Sequence, residues 1–161
     1  MATPTNLLAA QTTGNVLTAA YVNDLRGAFR ILQIVTGSTT TGLTKTSTSF
    51  VDTNLTATIT PQSASSQILV YVSQGMGTNN SVATLQLLRG ATNVCTQGHV
   101  VYAAGVLALG YCAFTALDSP ATTSATTYKT QMKVNALTGY AQFSDANGTQ
   151  RSTIILMEVS A

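Results

Sequence analysis

Residues 55–61 read Leu-Thr-Ala-Thr-Ile-Thr-Pro. Leu55, Ala57 and Ile59 alternate with Thr56, Thr58 and Thr60, the period of a strand with one buried face. Pro61 ends it, because proline has no N–H to give to a ladder. Similar segments recur along the chain. Residues 67–74 centre on Ile-Leu-Val-Tyr-Val, a mostly buried strand, and residues 82–89 run up to Gly90. Residues 94–101 and 106–117 follow. In residues 128–135, Tyr128, Thr130, Met132 and Val134 alternate with Lys129, Gln131 and Lys133. Residues 139–143 are a short strand and 153–159 a buried one, while 31–36 and 44–51 add one or two more. Eight or nine short strands with Gly, Pro, Asn and Ser between them predict an all-β, jelly-roll-like β-sandwich of residues 34–161.

Composition fits that reading. The 161 residues include 29 Thr and 13 Ser but only 7 Lys or Arg and 5 Asp or Glu. Threonine is β-branched and suits a pleated surface, and its hydroxyl keeps a face wet without charge. A net charge of +2 is too small for electrostatic binding of nucleic acid. A hydrophobic content of 45% argues against disorder. The opening Met-Ala-Thr-Pro-Thr-Asn lacks the features of a secretory signal. The longest apolar stretch, residues 100–114, is shorter than the roughly 20 residues of a spanning helix. The expectation is a cytoplasmically made protein with no membrane partner.

Residues 1–33 differ in period. Residues 1–16 are small and polar and read as an extended arm. Residues 18–33 read as a helix capped by Thr18. Val22, Leu25, Phe29 and Leu32 form an apolar stripe on it. A helix of two heptads is marginal alone, so the stripe is expected to dock on the β domain, on sister chains or on another protein.

Chemistry has few places to sit. His99 is the only histidine, and no Cys or His spacing fits zinc. Asp118-Ser119-Pro120 and the Asp145, Asn147, Gly148 group read as turns. No nucleophile elbow or phosphate loop is present. These residues predict no catalytic residue, metal or cofactor. A hairpin turning at residues 102–105 would set Cys95 opposite Cys112, as a reduced pair. Tyr71, Tyr102, Tyr111, Phe114, Tyr128 and Phe143 all fall in strands, where most are expected to pack.

Several stretches together carry a family resemblance. These are TGSTTTGLTKTSTSFVDTNLTATITPQSASSQILVYVSQ (36–74), LLRG (87–90), YCAFTALDSPATTSATTYKTQMK (111–133) and RSTIILMEVSA (151–161). They resemble a domain of bacteriophage and cyanophage virion proteins, found at tail-fibre and tailspike tips and in capsid decoration proteins. TTGNVLTAAYVNDLRGAFRILQ (12–33) is similar to the attachment segments that begin phage fibre proteins. The resemblance implies a β-sandwich or jelly roll, usually a homotrimer, on the virion. The chain has no long shaft, so the expected role is a cement protein on the outer capsid surface, bound to the major capsid protein. The alternative is a tail-fibre tip that binds host surface polysaccharide through loops carrying Thr78, Asn79, Asn80, Tyr102, Thr122 and Thr123.

Overall fold

The computed structural model describes residues 30–102, 105–145 and 148–160, with the backbone alone at residues 99–102 and 145. Twelve strands occur among them: β1 (Ile31–Thr39), β2 (Leu43–Lys45), β3 (Val51–Ile59), β4 (Gln67–Asn79), β5 (Val82–Arg89) and β6 (Thr92–Tyr102). After these come β7 (Leu107–Asp118), β8 (Thr126–Val134), β9 (Thr138–Ala141), β10 (Ser144–Asp145), β11 (Gly148–Thr149) and β12 (Ser152–Val159).

Eight of these are long, and their antiparallel pairing is nested. The first pairs with the last (β1 with β12), the second with the seventh (β3 with β8), the third with the sixth (β4 with β7) and the fourth with the fifth (β5 with β6). One sheet therefore runs β1-β12-β4-β7 and the other β3-β8-β5-β6. β4 is 13 residues long, so β12 covers its first half and β9, carrying β2, covers its second. The two sheets share one core, consistent with a β-sandwich.

The core is apolar at both ends and polar across the middle. At one end Leu55, Ile59, Ile68, Val70, Val72, Leu87, Tyr128, Ile154 and Leu156 pack together. At the other are Met76, Ala83, Leu85, Met132, Val134 and Ala141. Between them in sequence lie Gln74 on β4 and Thr130 on β8, both fully buried. A buried amide must find partners or lose its hydration for nothing. Here Thr130 Oγ1 donates to Gln74 Oε1 (2.7 Å) and shares a 2.6 Å hydrogen bond with Thr53 Oγ1. The Gln142 amide, oriented to satisfy its neighbours, donates to the carbonyls of Thr53 (3.1 Å) and Thr41 (3.3 Å). Its oxygen accepts from Ser152 Oγ (2.9 Å) and Gln74 Nε2 (3.1 Å). This layer also serves the backbone where β12 ends and β9 begins along β4. Gly75 N donates to Ser152 Oγ (2.9 Å), and Gln142 N donates to the Gly75 carbonyl (3.0 Å).

Gly37 sets how closely β1 approaches the other sheet. A Cβ there would collide with the backbone carbonyl oxygen of Thr56 on β3. Backbone cannot swing aside as a side-chain tip can. Gly37→Ala is therefore expected to destabilise the fold by about 2 kcal/mol, read as a lower urea midpoint. A midpoint equal to wild type would show that β1 and β3 can separate freely.

Two expectations are corrected. The strands at 94–101 and 106–117 are not a hairpin. β6 pairs with β5 through the tight turn at Gly90 (φ +57°), and β7 pairs with β4 in the opposite sheet. Cys95 and Cys112 thus belong to different sheets, and both are free. Residues 31–33 belong to β1, so Leu32 lies in a strand and not on a helix. The cause is pairing with β12, which begins at Ile31↔Val159, and this also places the start of the β domain before residue 34. Val22, Leu25 and Phe29 lie outside the described residues.

Candidate functional site: an uncharged sheet face and an unguarded edge

The two outer faces of the sandwich are chemically opposite. On the β3-β8-β5-β6 sheet the face is a polar ladder. Asn93 Nδ2 donates to Gln86 Oε1 (2.8 Å), Gln86 Nε2 to Gln131 Oε1 (2.8 Å) and Gln131 Nε2 to Asp52 Oδ1 (2.7 Å). Lys129 Nζ completes it at Asp52 Oδ2 (3.0 Å). Partial burial works to raise the pKa of Asp52. The hydrogen bonds from Gln131 and Lys129, with the lysine charge, outweigh it and hold the carboxyl below its usual range.

The β1-β12-β4-β7 face carries no such ladder. Residues paired directly across strands point to the same side. One row reads Ile34–Met157–Leu69–Leu117, and the next Thr36–Ile155–Tyr71–Thr115. Below these lies Ser38–Thr153–Ser73–Ala113. No Lys, Arg, Asp or Glu occurs in any of these rows, and Arg151 reaches only their margin, at Ser38 Oγ (3.2 Å). Ile34 is 58% exposed, Leu117 56% and Tyr111 56%. Leu107, Leu109 and Tyr71 are exposed as well. Single exposed apolar residues are ordinary, but a contiguous set on one face marks a contact surface.

The strand at the margin of this face is unusual among the outer strands. A bare strand edge invites pairing, and proteins blunt it with bulges, charge or proline. β1 is shifted in register between Ile31 and Gln33. β3 bulges between Asp52 and Thr56, where Asn54 takes φ +65°. β6 is interrupted twice against β5. β7 follows β4 through twelve consecutive pairs without a shift, and residues 107–117 contain no charge and no proline. Among the described residues, β7 pairs with β4 alone.

The titratable groups are committed elsewhere. Asp118, the acid of the Asp-Ser-Pro turn, ends β7 and accepts from Arg89 Nη1 at both oxygens (2.9 and 2.8 Å) and from Tyr128 Oη (2.7 Å). Burial first, then the hydrogen bond to Asp118, pushes the Tyr128 phenol far above its ordinary pKa. His99 lies in β6 and Asp145 in β10. Among the described residues, no group of three or more His, Cys, Asp or Glu could hold a metal, and no helix is long and apolar enough to cross a membrane.

The loops expected to touch a host do not form one surface. Thr78 is fully buried inside β4 and donates to the Thr138 carbonyl (3.2 Å). Asn79 and Asn80 are exposed at the end of β4. Asn80 Oδ1 accepts from Gly105 N (2.8 Å), which ties this turn to the chain after Tyr102, the last residue of β6. Thr122 and Thr123 lie in the β7–β8 connection, beyond Asp118, at the opposite end of the sandwich. Thr122 is half-buried and accepts from Ser124 N (3.1 Å), while Thr123 is exposed. Tyr71 and Tyr111 are exposed on the uncharged face, whereas Tyr128 is buried and Phe114 and Phe143 are half-buried.

That face was missed in the sequence, although a signal was present. In residues 107–112, large Leu107, Leu109 and Tyr111 alternate with small Ala108, Gly110 and Cys112. The small set faces inward and the large set faces out, the reverse of a strand that buries its bulk. No protein-family model matches this sequence, and no curated protein matches it closely enough to count as a relative.

Proposed function

We propose that this chain is a non-enzymatic virion surface protein, a capsid decoration module that acts by binding protein. The observation that carries the reading is the uncharged, apolar outer face of the β1-β12-β4-β7 sheet. Such a face is stabilised by meeting other protein, and the cores of protein interfaces are depleted in charge. The nested pairing of the eight long strands supports the finer assignment of a jelly roll, an architecture used by viral capsid and lectin domains among others. The resemblance of residues 34–161 to phage virion domains suggests the location, and fold alone would not. Each bound copy stabilises the assembled shell, because it binds that state and not the dispersed subunits. The reading needs a covered face and does not depend on how many copies, three or otherwise, cover it.

A tail-fibre tip is the second reading. It is favoured by the joined turns at Asn80 and Gly105, which present Asn79 and Asn80 at one end of the sandwich. Quantitative mass spectrometry of purified particles separates the two. A capsid decoration protein is expected at hundreds of copies per particle, as a shell lattice offers that many sites. A handful would move the chain to the tail, and its absence from particles would overturn both readings.

A further inference from the structure

We infer that β7 is a homodimerisation strand: two copies of this chain pair β7 with β7, antiparallel about a twofold axis, and extend the β1-β12-β4-β7 sheet across both molecules. This rests on the assembly reading above and names the partner. Three observations converge on a second copy. Among the described residues β7 is an outer strand, and its residues 107–117 run without bulge, charge or proline, while β1, β3 and β6 each carry a register break. An unblunted edge of this kind accepts another strand. The outward residues of β7 are uncharged, and Leu107, Leu109, Tyr111 and Leu117 among them are large and apolar, so the added strand must itself offer uncharged, mostly apolar outward positions, and β7 offers them. An uncharged face can meet its own copy with no like-charge repulsion, and isologous twofold contacts are the commonest self-associations.

Register follows from facing. Pairs must match inward with inward, so the axis passes through a residue and not between two. Centring on Cys112 pairs all of residues 107–117 and leaves out Asp118, which Arg89 and Tyr128 hold. Outward, Leu107 then meets Leu117, Leu109 meets Thr115 and Tyr111 meets Ala113. Inward, Phe114 faces Gly110, where a Cβ would find nothing within 4 Å. Apart from Leu107 with Leu117, large residues thus oppose smaller ones, and Cys112 faces Cys112. This contact closes at two copies. It differs from the homotrimer that the resemblance implies.

The test uses the full-length chain. Sedimentation over about a hundred-fold range of concentration should show a monomer–dimer equilibrium. Copper phenanthroline in air should link the dimer by a disulfide between the two Cys112 thiols, whose Cβ atoms lie close enough when directly opposed. The link should survive Cys95→Ser and vanish in Cys112→Ser. Tyr111→Lys, at an exposed site, should raise the dissociation constant at least about ten-fold. Thr58→Lys, exposed on β3, should not. A monomer at every concentration, a trimer, or a dimer indifferent to Tyr111→Lys would overturn the inference. Particle occupancy reads the other proposal separately. A monomer that decorates particles sinks only the dimer, and a dimer absent from particles sinks only the virion role.

Discussion

Gln142→Leu is expected to lower stability by about 4 kcal/mol, as the buried groups it serves lose their partners together. Gln142 is fully buried and holds φ +50°, a conformation costly for any residue but glycine, so its position is maintained by its hydrogen bonds. Leucine matches its bulk but leaves the carbonyls of Thr53 and Thr41 and the Gln74 amide without it. Each orphaned group costs about 1–3 kcal/mol. Urea unfolding at neutral pH measures the loss. A double-mutant cycle makes the argument sharper. Gln74→Leu and Gln142→Leu remove two halves of one bond, so the double variant should be less destabilised than the singles predict, by about 1–2 kcal/mol. Strict additivity would mean that the polar layer is not a connected network.

Glu158→Gln is the second large effect, about 3 kcal/mol at neutral pH, because charge-assisted hydrogen bonds are lost and donors are left facing a donor. Glu158 is fully buried on β12. Its Oε2 accepts from Gln33 Nε2 (2.6 Å), and its Oε1 from the backbone N–H groups of Gln62 (2.8 Å) and Ser63 (3.3 Å). The buried Ser66 hydroxyl faces the same carboxylate without reaching hydrogen-bond geometry. One acid therefore fastens the β3–β4 corner to β1 and β12. Burial would raise its pKa, but these donors outweigh it and hold the carboxyl below the usual glutamate range. The sign follows from linkage. A carboxyl with a depressed folded pKa contributes its full stability above the unfolded value of about 4.3, and that contribution is lost as pH falls through the folded value. The gap between wild type and Glu158→Gln should be wide at pH 7 and shrink below about pH 4. Asp52 titrates in both proteins and cancels. A gap independent of pH would show that Glu158 is not the ionised anchor.

Much of the strand content was readable, and the reasons it stopped being readable are local. Val82–Arg89 alternates unevenly, yet its extent is legible because Asn80 and Gly90, both at positive φ, punctuate its two ends. The inner set on β3 reads because Leu55, Ala57 and Ile59 alternate with threonine. The β6–β7 hairpin was misread because adjacency in sequence is a good guide to pairing in meanders, whereas nested pairing sends consecutive long strands to opposite sheets everywhere except at the innermost pair, β5 and β6. Thr78 reads as a loop residue because Gly75 and Gly77 precede it and Asn79 and Asn80 follow, yet those glycines lie in β4 where Gln150 and Leu109 cross over them. The uncharged face was hidden for a simpler reason. Period two says that a strand has two faces, but not which one meets the core.

Nested pairing also orders events in time. β12 is the last described strand to be synthesised, yet it sits inside its sheet, between β1 and β4. Ile31 meets Val159 only after every described strand between them has been made. Pairings this distant in sequence make folding slow. Until Ser152–Val159 is made, β1 and β4 each lack a neighbour, and Ile154 and Leu156 are missing from the core. A nascent or truncated chain would expose sticky edges beyond β7, and cells would meet it as a substrate for chaperones and proteases. The strand that completes the uncharged face thus doubles as a checkpoint for the folded sandwich.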